Sequence, residues 1–281
     1  MQKIALITDS ACDLDLNTLK ENNINLLPLR IIYSNGDYRD RIDISPQEVY
    51  DNLEKEVPKT SLPSAQDTEE TLNRLEEEGY THVIYISISS GLSGSFNAIR
   101  LALEDHPKLT SFVYDSKILA YPQGEMVLEV AKLIKEGTSF EEIVQEIPEI
   151  RKRIIGYFTI NTLEYLKKGG RIGRLAGTVG ELLNLKPIIT TDEDGVFYNV
   201  VKVRGRKQSL SKMTELLKGY LAKGKCEVAV LHAGCEDEAI KYMNSLKDLT
   251  NVVSIKIAEI SPSLGIHGGP GLMGFSVKMV K

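Results

Sequence analysis

The chain has 281 residues, 42% of them hydrophobic and 26% charged, a balance that fits a folded globular protein of one large domain or two modest ones. A formal net charge of −5 argues against a nucleic-acid binder that works through a broad basic surface. No apolar run approaches the roughly 18 residues that span a bilayer, the start MQKIALITDS turns polar too soon for a signal peptide, and Cys12, Cys226 and Cys235 form no CxxC pair, so the expected compartment is the reducing cytoplasm.

Strand and helix alternate through the first half. Ile4–Ile7 reads as a short buried strand that empties into Thr8-Asp9-Ser10. Residues 25–33 form a second extended run, in which Pro28 argues for an edge or irregular strand. Asn35-Gly36 signals a turn, and Ser45-Pro46-Gln47-Glu48 opens a helix with a cap and a proline at its first position. Residues 24–60 therefore read as a small excursion. A helix over 64–78 stops at Gly79, and a strand over 81–88 leads to a helix over 93–105. A strand over 111–114 runs into Asp115-Ser116-Lys117, and helices follow over about 125–135 and 140–153. This alternation predicts a mostly parallel sheet covered on both faces.

The second half has a different rhythm. A strand over 153–159 precedes a short helix over 163–168 that stops at Gly169-Gly170. A helix is expected over about 176–184. Strands over 188–191 and 196–203 flank the hairpin signal Asp194-Gly195. Helix 207–223, strand 226–232, helix 236–246 and strand 252–257 come next, and a glycine-rich loop carrying His267 leads to a last strand. The reading is an α/β chain of two domains, residues 1–154 and 155–281, the second with mixed α/β character.

The strongest local signal is ISISSGLSGSFNAIRLAL at residues 86–103. A strand that ends in small hydroxyl residues at a helix start suits an anion, because the first-turn N–H groups and the positive end of the helix dipole point there. Ser89, Ser90, Ser93 and Ser95 add hydroxyl donors, and Gly91 and Gly94 permit close backbone approach. Gly91-Leu92-Ser93-Gly94-Ser95 departs from the G-x-S-x-G nucleophile elbow at its last position. A Ser93–His267 hydrolase is the alternative this segment leaves open. Gly269-Pro270-Gly271-Leu272-Met273-Gly274 matches GxGxxG, but no helix follows it, and no GxxxxGK[ST] loop occurs. No nucleotide cofactor is expected. His82, His106, His232 and His267 show no HExxH spacing, so no metal site is expected.

Other segments carry a bland reading beside a functional one. Asp9-Ser10 is either a cap or a ligand group at a strand end. Thr60 and Ser61 lie in the hydroxyl-rich stretch Lys59–Ser64, which otherwise reads as a loop held by Pro63. Lys167, Lys168, Arg171 and Arg174 surround glycines in KKGGRIGR, either a solvated face or a phosphate or partner contact. His267, flanked by glycines, suits a polar, ligand-facing role.

Taken together, TDSACDL, KTSLPS, ISSGLSGSFNAIR, VYDSK, LEYLKKGGRIGR, LKPIIT with Gly195 downstream, and HGGPG occur in this order over almost the whole chain. The combination resembles the DegV family of bacterial fatty-acid-binding proteins. The resemblance implies a two-domain α/β fold with a long-chain fatty acid buried between the domains. It implies a carboxylate held by Thr60, Ser61, Ser93 and His267, with Ser90, Gly94 and Arg171 in a supporting polar network. It also implies a non-catalytic carrier that presents the acid to a separate ATP-dependent fatty acid kinase, which makes an acyl phosphate for phospholipid synthesis. Lys167, Lys168 and Arg174 would then form a rim facing that partner or a phosphate, and the same rim suits transient contact with an anionic membrane. A lipid sensor with no kinase is a further alternative. Two departures bear on acyl preference: Ala120-Tyr121-Pro122-Gln123-Gly124 where the family often has a serine and small glycines, and Leu62 where a polar residue is frequent.

The physical chemistry is consistent with such a ligand. A tail of about 16–18 carbons gains roughly 12 kcal/mol on burial, against an association cost of at least about 4 kcal/mol. An unpaired buried carboxylate would cost more than the tail recovers, and neutral donors at a helix start relieve that cost.

Overall fold

The structure, a computed structural model, describes residues 2–178 and 185–281. The first sheet is built from β1 (Ile4–Asp9), which is followed by a 3-10 turn at Ser10–Cys12 and by α1 (Leu16–Glu21), and from β2 (Ile24–Leu27). The chain then leaves this sheet for β3 (Arg30–Tyr33), β4 (Gly36–Arg39), α2 (Pro46–Asn52) and β5 (Lys59–Ser61). It returns through α3 (Ala65–Glu77), β6 (His82–Ser87), α4 (Ser95–Glu104) and β7 (Thr110–Asp115), and α5 (Ala120–Lys135) and α6 (Phe140–Lys152) follow. The later elements are β8 (Ile154–Thr159), α7 (Glu164–Lys168), a 3-10 helix at Gly173–Thr178, β9 (Leu185–Thr191), β10 (Phe197–Arg204), α8 (Arg206–Leu221), β11 (Cys226–His232), α9 (Glu236–Leu246), β12 (Val252–Glu259), α10 (Pro262–Gly268) and β13 (Met273–Met279).

Among the described residues the strands form three sheets. The first, in the order β2-β1-β6-β7, is wholly parallel. Alternation along its strands sets the layers. Ala5, Ile7, Val83 and Tyr85 pack on Leu72 and Leu75 of α3 and Ile99 and Leu103 of α4. Leu6, Ile84 and Ile86 join the cluster that holds Val127 and Val130 of α5 and Ile143 and Ile147 of α6. The second sheet, β10-β9-β8-β13-β11-β12, is mixed, with only β11 and β12 parallel. Val228, Val230 and Phe275 on one face meet α8 and α9, while Ala229 and Leu231 on the other join the α5 cluster. The fold is thus α/β, with a parallel sheet first and a mixed sheet second.

The extended run expected over 25–33 is two strands in two sheets. Pro28 lacks the N–H that a ladder needs; β2 ends before it, and β3 begins a small antiparallel sheet of order β4-β3-β5. The Ser45 cap is a full capping box with Glu48. The helix expected over 176–184 is replaced at its start by the 3-10 helix at Gly173–Thr178, and residues 179–184 lie outside the described residues. His267 sits near the end of α10, not in a loop. Pro262 at the first helical position opens that helix, a signal the following glycines obscured.

Candidate functional site

The segment after β6 is fixed by contacts on both sides. The Ile88 N–H donates to Asp9 Oδ2 (2.8 Å) and the Ser89 N–H to the Ile118 carbonyl (2.8 Å). The N–H groups of Leu92 and Ser93 then turn back onto the Ser89 carbonyl. Ser93 Oγ lies 2.8 Å from Ser95 Oγ. Gly94 is the N-cap of α4 and supplies no side-chain cap, which leaves the helix start open to another acceptor. Asp9 is a structural tie: Tyr85, Gln123 and the Ala11 N–H also donate to it, and burial still raises its pKa to about 6.

Two distant segments complete the polar end. Thr60 is fixed by pairing of β5 with β3, and its Oγ1 lies 2.7 Å from His267 Nε2. The His267 Nδ1 is buried without a partner. It packs on Gly169, where a Cβ would come within 2.0 Å of it. Burial, with the charge of Arg171 second, lowers the His267 pKa to about 4, so the ring is neutral at pH 7. Arg171 donates to the carbonyls of Leu92 (3.2 Å) and Gly169 (2.7 Å), tying the serine loop to the segment behind the imidazole.

These groups open onto one cavity with about 980 Å³ of empty space, the open solvent at its mouth included. Thr60, Ser61, Ser93, Arg171 and His267 all line it. Most of the remaining wall is apolar, with Ile88, Ile118, Phe158, Phe197, Leu231 and Leu272 drawn from the ends and faces of both larger sheets. Ala120 and Pro122, from the departing segment 120–124, form part of the wall, and Ala120 holds a left-handed φ of 60°. The site offers hydroxyls and a neutral imidazole, with the Arg171 guanidinium on the same wall, to an anion at one place and hydrocarbon contact elsewhere.

The other expected residues fall differently. Ser90 does not line the cavity: its N–H donates to Asp115 (3.0 Å) and its hydroxyl accepts from Lys117 (3.1 Å). Gly94 lies beside Leu62 at the start of α4, outside the lining. Lys167 and Lys168 are exposed, and Lys168 pairs with Glu164 (2.6 Å). Arg174 is shared by Asp192 (3.1 Å) and Asp194 (2.8 Å), so nearby carboxylates already meet much of the rim's charge. Ser93 and His267 are not paired; each bonds another hydroxyl. Among the described residues no group of side chains suits a metal ion, and no helix is long and apolar enough to cross a membrane.

Sequence reasoning missed Ser263, Thr190 and Thr191 in the wall. Ser263 carried a signal as a hydroxyl beside a proline in SPSLG, and Thr190 closes the segment LKPIIT. The hairpin tip Asp194-Gly195 signals a turn in the sequence, and it also clamps the serine loop. Ser89 Oγ donates to the Gly195 carbonyl (2.8 Å), and Lys117 reaches the Asp194 carbonyl.

Comparison with known proteins gives one family. The model described as "Uncharacterised protein, DegV family" matches residues 3–279. A DegV domain-containing protein of Clostridium perfringens is 49% identical over 278 residues, 99% of each chain. The structure of DegV from Bacillus subtilis, described as a fatty acid binding protein, is similar with a TM-score of 0.91 at 31% identity and full coverage of both chains. A stearic acid-binding protein from Eubacterium ventriosum is similar with a TM-score of 0.88 at 28% identity, covering 99% of this chain and 98% of that one.

Proposed function

The chain belongs to the DegV family, and on that premise we propose that it binds a long-chain fatty acid, with the tail in the cavity between the larger sheets and the carboxylate among Thr60, Ser61, Ser93 and His267. One observation carries this reading: hydroxyls from β5 and from the loop before α4, and a neutral imidazole from α10, line a single largely apolar cavity. The fatty acids bound by the similar proteins of Bacillus subtilis and Eubacterium ventriosum support it. Neutral donors suit a carboxylate that must be both held and desolvated, because they satisfy its lone pairs without a second buried charge.

The reading extends to a carrier without catalysis of its own, which presents the carboxylate to a separate ATP-dependent kinase. The carboxylate oxygen would attack the γ-phosphorus of ATP while the bond to the β–γ bridging oxygen breaks and ADP leaves, a step that depends chiefly on positioning and charge stabilisation. Arg171 lines the same end and Lys167, four positions earlier in the chain, is exposed, which supports a phosphate-facing or partner-facing rim. Residues 1–154 and 155–281 act as two lobes in this reading, the parallel sheet lying wholly before residue 154 and the mixed sheet from it onward. Gas chromatography of lipid extracted from the purified protein tests the central claim. A protein that carries no acyl chain and takes up no offered stearate overturns it.

A further inference from the structure

The small sheet supplies more than Thr60. Asp40 follows β4 and is fully buried. Its Oδ2 accepts the hydroxyls of Ser10 (2.6 Å) and Ser263 (2.5 Å), and its Oδ1 accepts the Ser263 N–H (3.2 Å). A second buried carboxylate, Asp13, accepts the Ser261 N–H (2.8 Å) and is balanced by Arg41 at 3.5 Å. Ser261 is the N-cap residue of α10, yet its own side chain makes no cap bond. The amides that open this helix are satisfied instead by carboxylates 223 and 248 positions away in the chain.

Both ends of α10 meet the same rigid unit. Asp40 continues the β3–β4 ladder, its N–H donating to the Leu29 carbonyl (2.9 Å), while Thr60 pairs with Ile31 on the other side of β3. Asp40 grips Ser263 near the helix start, and Thr60 meets His267 four residues later, about 6 Å along the axis. Tyr50 fixes the flank: its hydroxyl donates to the Ile260 carbonyl (3.2 Å), and a Cβ at Gly265 would meet its ring at 2.6 Å. A grip at two points on one short helix determines both its depth and its rotation.

We propose that Asp40 is a positioning residue for the carboxylate site, holding α10 where His267 Nε2 meets the Thr60 hydroxyl. This rests on the fatty-acid reading for its ligand but not for its geometry. The test uses the full chain carrying Asp40→Asn, which keeps the volume but presents an amide N–H₂ to hydroxyls that now donate to a carboxylate. Two measurements are made: the imidazole ¹⁵N shifts of His267 without ligand, and binding of radiolabelled stearate against 1-octadecanol. The expected result is a changed His267 signature, stearate binding weakened about tenfold, and 1-octadecanol binding within about twofold of the parent. Equal loss of both ligands, or an unchanged His267 signature, overturns the proposal. Should Asp40→Asn fail to fold, Ser10→Ala decides: the carboxylate stays, one donor to it goes, and unchanged His267 shifts sink the idea. A parent protein that binds neither ligand defeats the fatty-acid reading alone, since the ligand-free shifts still report on Asp40.

Discussion

Thr60 Oγ1 stands 2.7 Å from His267 Nε2, although 207 positions separate the two in the chain. The bond joins the small antiparallel sheet to α10 at the polar end of the cavity. With the imidazole neutral, neither partner brings a net charge to the place where an anion would be held.

Gly169 is the sharpest point at which to disturb that contact. Its φ of −78° is ordinary for any residue, so Gly169→Ala acts by volume alone: the new Cβ would lie 2.0 Å from His267 Nδ1. The ring must move off Thr60. Stearate affinity is expected to fall at least about tenfold, with a stability loss of about 1–3 kcal/mol from overpacking. Normal affinity in a folded variant would show that the Thr60–His267 contact is not needed.

Ser93→Ala removes a cavity-lining hydroxyl without leaving a large void. Stearate binding should weaken about five- to tenfold while methyl stearate, which has no carboxylate, binds as before. The parent protein should also remain unlabelled by a serine-reactive fluorophosphonate, since Ser93 is bonded to Ser95 and not to His267. Labelling at Ser93 would favour the hydrolase.

Gly195→Ala tests the hairpin clamp. Gly195 has a φ of +76°, and a Cβ there would lie 1.9 Å from Ser89 Oγ. Left-handed strain and the clash together predict a loss of about 2–4 kcal/mol, read as a lower urea midpoint. An unchanged midpoint would mean that the tip does not hold the serine loop.

Two buried groups give opposite pH dependences. His267 titrates at about 4, against an ordinary 6.5. As pH falls from 6.5 toward 4, the unfolded chain takes up a proton that the native state refuses, so this part of the stability is lost. Glu125 is bonded to Ser276, and burial raises its pKa from 4.5 to about 7. Here the native state holds the extra proton, and stability falls as pH rises through that window. The two windows overlap, so between about pH 5 and pH 7 the slope of the urea midpoint against pH should turn more negative in His267→Gln and more positive in Glu125→Gln. Parallel curves for parent and variants would contradict both assignments.

Much of the fold was legible because local signals agreed with it. The Ser45–Glu48 cap, the short apolar runs of β1 and β6 and the Asp194-Gly195 turn each act over a few residues. The β3–β4–β5 sheet showed only as an excursion, because its strands are short and Pro28 blurs its start. The site was legible in part. Ser93 and His267 carried local signals, but only the family resemblance joined them to Thr60 and Ser61, since no spacing rule links positions so far apart. Asp40 gave no signal: it is one acidic residue in a polar stretch, and its partners Ser10 and Ser263 are set by tertiary packing. Arg174 announced its charge but not the aspartates that meet it.

β13 comes last of the strands in sequence, yet it lies between β8 and β11 in the mixed sheet. While the chain is being synthesised, β8 and β11 have no shared neighbour, and α10 has no finished wall behind it. The mixed sheet therefore stays open at its middle until β13 has been made. Long-range closure of this kind folds slowly. A chain truncated within β13 would expose two unpaired strand edges and is expected to aggregate.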